Sequence, residues 1–231
     1  MNKLNTIIAA VGALLMLTVT SANSIEFKAG VSANGLAAYA NAKEQMKGNT
    51  RVTNEEAVLA ASFASAFVEI SSEDAMGLGI GVSYAPEVVD LEKETRTIQN
   101  ASGDAANDSG DQIIDGKIQD LLSVYLTLPV GDTGAYAKAG YIQATLITAE
   151  NLATGSKYED IDMTGMQIGG GYEAELGDMA FWRAEGTYQM WEDLSASGSE
   201  GGRVAASALQ KNKISAEVGS ITGTLSVGMK F

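Results

Sequence analysis

The sequence predicts an all-β chain: a closed, antiparallel, up-and-down transmembrane β-barrel of about eight strands, preceded by a signal peptide. Three observations predict it. Bulky apolar residues alternate with small or polar ones at a period of two along eight segments. The gaps between those segments alternate between short and long. The only long apolar run lies at the N-terminus, which leaves the rest of the chain without a helical membrane span.

The N-terminus is taken first. Lys3 supplies a short positive region, Ile7 to Val19 is a nearly unbroken apolar run, and Ala22-Asn23-Ser24 places small residues where a signal peptidase cuts. The apolar core of 13 residues is shorter than the roughly 20 that a spanning helix needs. Residues 1–24 are therefore expected to be a signal peptide cut after Ser24, with Ala22 as the alternative. Residues 25–231 are expected to be one barrel domain.

The expected strands are 26–40, 57–70, 76–90, 113–128, 134–149, 161–176, 180–194 and 214–231. In the first, Phe27, Ala29, Val31, Ala33, Ala37 and Tyr39 face away from Lys28, Ser32 and Asn34. The second, Leu59 to Ile70, is apolar on both faces, with Phe63 and Phe67 on one parity and Glu69 falling on the apolar side. In the third, Leu78, Ile80, Val82 and Tyr84 alternate with Gly77, Gly79, Gly81 and Ser83. In the fourth, Leu122, Val124, Leu126 and Leu128 alternate with Ser123, Tyr125 and Thr127; Asp120 breaks the apolar parity. The fifth is ambiguous. Lys138 turns the odd positions toward lipid, where Gln143 and Thr145 fit poorly. In the sixth, Met166, Ile168, Tyr172 and Leu176 oppose Gln167, Gly169, Gly171, Glu173 and Glu175. In the seventh, Trp182, Ala184, Tyr188 and Met190 oppose Arg183, Glu185, Thr187 and Gln189. The last carries Ile221, Leu225, Val227, Met229 and Phe231 against Thr222, Thr224, Ser226, Gly228 and Lys230. Glu69 and Asp120 are expected near the rims, or at a slip in register.

Short turns at Ser71–Ala75, Pro129–Thr133 and Gly177–Met179 fall on one rim. Longer polar loops at Asn41–Glu56, Leu91–Gln112, Glu150–Asp160 and Ser195–Lys213 fall on the other. That asymmetry, with an even strand count, is how membrane barrels are built. With only 2 prolines, most strand N–H groups are available for pairing.

Alternation alone does not say which face is enclosed. Lys28, Lys138, Glu173, Arg183 and Glu185 share the small polar side and are expected to form a paired ionic network in the lumen. A lipid-facing Arg or Lys at mid-bilayer costs about 2–4 kcal/mol. Gly, Ser and Thr dominate the polar side, as the narrow interior of a small barrel requires. Phe27, Tyr39, Tyr84, Tyr136, Phe181, Trp182, Tyr188, Trp191 and Phe231 lie toward strand ends. Phe27, Tyr39, Tyr84, Trp182 and Tyr188 are the expected aromatic girdle.

These features resemble the small outer-membrane barrels of the OmpA/OmpX type, within the porin-like superfamily of Gram-negative bacteria. The most specific of them is the last strand, Ile-Thr-Gly-Thr-Leu-Ser-Val-Gly-Met-Lys-Phe. In that family the final residue is typically aromatic, with apolar residues alternating upstream. The resemblance spans the whole mature chain, is architectural elsewhere, and is to the barrel alone. It implies an outer-membrane location, lipid as partner, and a terminal signal (Leu225, Val227, Met229, Phe231) read by the barrel-insertion machinery.

Composition narrows function. There is no cysteine and no histidine, which removes thiolate sites, imidazole bases and Ser-His-Asp triads. Barrel enzymes of this membrane generally use a histidine, so no enzyme is expected. No cofactor and no metal are expected either. Asp104, Asn107, Asp108 and Asp111 do not have EF-hand spacing, and no Lys-Ser/Thr follows Gly169-Gly170-Gly171. The net charge is −14, about −15 without Lys3, which disfavours nucleic acid as a partner. The leading expectation is a non-enzymatic outer-membrane barrel with a structural, envelope or surface-interaction role through long acidic extracellular loops, which are free to bind a surface ligand. The alternatives are a narrow porin-like channel for small solutes and a secreted soluble ligand-binding β-barrel.

Overall fold

The computed structural model describes residues 25–45, 52–98, 110–148, 159–197 and 213–231. The expected signal peptide and most of the acidic stretch Gly103–Asp111 lie outside the described residues. The strands are β1 (Ile25–Gln45), β2 (Val52–Ser72), β3 (Leu78–Ile98), β4 (Gly110–Pro129), β5 (Ala135–Thr148), β6 (Ile161–Leu176), β7 (Ala180–Trp191), β8 (Leu194–Ser197) and β9 (Lys213–Lys230). Each pairs antiparallel with its neighbour, and β1 pairs with β9 to close the wall. β8 continues the line of β7 after a break at Glu192 and Asp193, and both pair with β9, so the barrel has eight staves.

β1 and β2 run for 21 residues each, longer than alternation indicated. Their ladder continues through Asn41↔Glu56 and Lys43↔Asn54, where both faces are polar and no period-two signal exists to read. The short turns rely on left-handed backbone: Gly134 (φ +82°) closes the β4–β5 turn, and its carbonyl accepts the Glu173 N–H at 2.9 Å.

The register fixes the tilt. Paired residues lead round the wall from Trp182 through Val227, Val31, Ala66, Tyr84, Leu122, Gln143 and Thr164. The path returns to β7 at Glu192, whose N–H bonds the Thr164 carbonyl, ten residues above its start. For eight strands that shear sets a tilt of roughly 40°.

Bulky apolar side chains face outward. Val31 is 59% exposed, Met166 63% and Leu225 65%, whereas Ser32, Asn34, Ser123, Gln167, Gln189 and Thr222 are buried inside. The exterior is therefore apolar and the lower interior polar, the reverse of a soluble ligand-binding barrel. β5 resolves residue by residue. Tyr136, Lys138, Ile142 and Ala144 point inward. Gln143 lies on the outward parity opposite Thr164, whereas Thr145, of the same parity, is buried beside Asp162, its hydroxyl 3.5 Å from that carboxylate. The interior is not small and ionic throughout. Toward the long-loop end Ala144, Met163 and Leu194 are buried against Ile118, Leu121, Trp191 and Val218.

Two exceptions in the alternation have separate causes. Glu69 is not at a rim; it points inward with Phe63 and Phe67 and is 2% exposed. Asp120 sits in the left-handed region (φ +56°) at a bulge between Gln119 and Leu122 and accepts the Tyr84 hydroxyl at 2.6 Å.

Inward glycines seat aromatic rings. A Cβ on Gly30 would come within 2.7 Å of the Phe67 ring, on Gly171 within 2.6 Å of the Tyr136 hydroxyl, and on Gly228 within 2.6 Å of Phe181; Gly81 holds Tyr125 in the same way. Gly81→Ala is expected to lower stability by about 1–3 kcal/mol, because fully buried Tyr125 has no free direction to move. Gly223→Ala, outward with open space around it, leaves stability unchanged. Urea unfolding in vesicles checks both; equal effects would remove the ring-seating role.

Candidate functional site: the ionic layer across the lumen

The site begins with one cation that lies inside a narrow, low-dielectric space. Arg183, on the inward parity of β7, is 2% exposed. Its Nη1 and Nη2 donate to the two Glu69 oxygens at 2.9 and 3.0 Å, the bidentate fork that matches guanidinium to carboxylate. Its Nε and Nη2 donate to Glu173 Oε2 at 3.0 and 2.5 Å. Lys28 donates to the other Glu173 oxygen at 2.7 Å and lies 3.1 Å from Glu26. Lys138 donates to Glu185 at 2.9 Å.

The charges balance. Three cations (Lys28, Lys138, Arg183) meet three carboxylates (Glu69, Glu173, Glu185), drawn from β1, β2, β5, β6 and β7. Burying ions is costly unless each is paired and hydrogen-bonded, and this set meets that condition. Aromatic faces complete the layer. The Arg183 guanidinium carbon is 5.4 Å from the Phe67 centroid, 5.1 Å from Tyr136 and 5.5 Å from Phe181. Lys138 lies 4.0 Å from the Tyr125 centroid.

The space above is small. A cavity of about 50 Å³, lined among others by Ser32, Asn34, Phe67, Ser123, Gln167 and Thr187, holds no more than a few waters. Its polar walls bond to each other: Gln167 to Ser123 at 2.5 Å and the Ser32 and Ser226 hydroxyls at 2.8 Å. Chemically, this layer is a set of buried charges, each paired with an opposite one. It offers no nucleophile beside a base, and among the described residues no group of His, Cys, Asp and Glu is arranged to hold a metal.

The structure brings Lys28, Glu173 and Arg183 into one chain of bonds and Lys138 and Glu185 into a second pair. Alternation missed Glu69, the carboxylate that takes the Arg183 fork. The signal for it was its own charge, on the parity of Phe63 and Phe67. Of the aromatics, Tyr39, Trp182 and Tyr188 are outward and exposed, with the Tyr39 and Tyr188 hydroxyls 3.1 Å apart. Phe27 stacks at 6.1 Å with Phe231, and Tyr84 is outward on Asp120. Tyr136 and Phe181 are not rim residues but buried members of the layer, and Trp191 points inward to Ser220. Leu225, Val227, Met229 and Phe231 line the outward side of β9, and the Phe231 N–H bonds the Phe27 carbonyl at 2.8 Å.

No family model and no curated protein matches the sequence. Solved structures do resemble it. The outer membrane protein OprG from Pseudomonas aeruginosa aligns with a TM-score of 0.50 at 15% identity, over 90% of this chain and 96% of that one. The outer membrane protease OmpT from Escherichia coli aligns at 0.43 and 10%, over 93% and 100%. Ail, the attachment invasion locus protein of Yersinia pestis, aligns at 0.34 and 13%, over 88% and 98%. The OprG likeness carries the fold; the other two are too distant to carry an argument. By fold, then, the chain is a closed, antiparallel, eight-stranded β-barrel like that of OprG.

Proposed function

We propose that the chain is a non-enzymatic integral protein of the bacterial outer membrane, reached with a signal peptide and the barrel-insertion machinery, with its lumen shut to ions. Its work is then done at the long-loop rim, in envelope structure or surface interaction, rather than by conduction. One observation carries this reading: the Arg183 fork on Glu69, shared with Glu173, spans the interior between β7, β2 and β6. The same observation weighs against the narrow-channel alternative.

The test is conductance. The native protein, added to a planar bilayer, is expected to give no discrete current steps. Arg183→Ala is expected to give them, because the span between β7 and β2 is removed. A native protein that conducts steadily would overturn the reading.

A further inference from the structure

The wall is not laddered evenly. Between β2 and β3 the pairing runs only from Ser72↔Leu78 to Ala66↔Tyr84. Both strands continue, β2 back to Val52 and β3 on to Ile98, and each stays paired with its other neighbour. Above Ala66 and Tyr84 the two ribbons separate, and a groove of about 470 Å³ opens between them. Its walls are Ala61, Ser62, Phe63 and Ala64 on one side and Pro86 to Asp90 on the other.

Three local features keep it open. Pro86 has no N–H to give to a ladder. A register shift between Glu87 and Val89 bends that edge. Ala61, Ser62 and Ala64 are too short to fill the space. The height of the groove follows from the shear. The Ala66–Tyr84 rung lies about 10 Å above Trp182, near the middle of an apolar band of about 25 Å. The groove therefore begins inside the hydrocarbon and rises through its long-loop half. It is continuous with the outward apolar face that includes Val31 and Val58. Glu87 and Asp90, at the upper end, share Lys117, so half of the acidic charge at that end of the groove is offset from within the chain.

We propose that this groove seats one acyl chain of a lipid of the surrounding leaflet. The chain lies along Ala61, Ala64, Pro86, Val88 and Val89, with Phe63 as its floor, and completes the wall where the ladder stops. The inference rests on the membrane-barrel reading above. It adds a specific lipid position to that reading, distinct from the general lipid coat.

Tryptophan fluorescence in vesicles of phospholipid brominated at mid-chain tests it, since bromine quenches near contact. The chain has 2 tryptophans, one outward (Trp182) and one inward (Trp191). With Trp191→Phe, Trp182 alone reports insertion and is expected to be quenched; an unquenched Trp182 would sink the membrane reading itself. With Trp182→Phe, Trp191 reports an inward site, paired with Gly165 and bonded to Ser220, away from the groove, and stays bright. In a protein carrying Trp182→Phe, Trp191→Phe and Phe63→Trp, the new indole also points inward, but behind the groove. Its emission is expected to fall at least about threefold further than that of Trp191, and adding Ala64→Phe is expected to restore it. Equal quenching at the two inward positions, or no recovery on filling the groove, overturns the proposal. So does quenching by aqueous iodide in place of brominated chains, which assigns the groove to water. Heat-modifiable gel migration confirms that each variant is folded.

Discussion

Replacing Arg183 with alanine is expected to lower the unfolding free energy by about 3–5 kcal/mol, the cost of leaving a buried charge without its partner. Glu69 is the reason. Its carboxylate is 2% exposed and takes both prongs of the guanidinium. Glu173 loses a partner too, but keeps Lys28 at 2.7 Å. The loss is therefore concentrated on one residue. Arg183→Met with Glu69→Leu removes the pair together and is expected to recover most of the stability, since apolar groups of similar volume replace a desolvated ion pair at little or no cost. Urea titrations of the vesicle-inserted proteins measure both. A single variant within about 1 kcal/mol of the native protein would mean that solvent reaches Glu69 and that the lumen is not closed there.

The second large effect concerns the exterior. Leu225→Arg is expected to cost about 2–4 kcal/mol, whereas Glu217→Arg on the same outward side of β9 costs about 0–1. Leu225 is 65% exposed on the apolar wall, paired between Ala33 and Ala184. Glu217 lies eight residues nearer the long-loop rim, opposite Asn41. The contrast tests the orientation of every strand, because a polar environment around the barrel gives two equal, small numbers. Folding into vesicles at graded urea concentrations reads the difference.

Most of the architecture was legible in the sequence because a membrane barrel writes one rule repeatedly: bulky outside, small or ionic inside. Where one strand obeys both halves, as with Trp182 against Arg183 or Val227 against Ser226, the assignment is direct. The rule loses force where the inside is also bulky. Phe63 and Phe67 sit opposite small outward residues, Ala64 and Ala66, so apolarity on β2 pointed the wrong way and Glu69 went with it. The space for the Phe67 ring comes from Gly30 on another strand, and no local pattern records a pairing that distant. The stop in the β2–β3 ladder is equally silent, since Ala61 to Ala64 read as ordinary strand. Pro86 was the one local mark of it.

The neutrality of the lumenal layer has a consequence for the rest of the surface. Lys28, Lys138 and Arg183 cancel Glu69, Glu173 and Glu185, so the whole excess of −14 sits outside that layer. The electrostatic potential of the molecule thus comes from groups other than those enclosed pairs. Raising ionic strength to 0.15 M shortens its range to about 8 Å, so encounters with charged neighbours weaken, while the enclosed pairs, screened much less, hold the barrel as before.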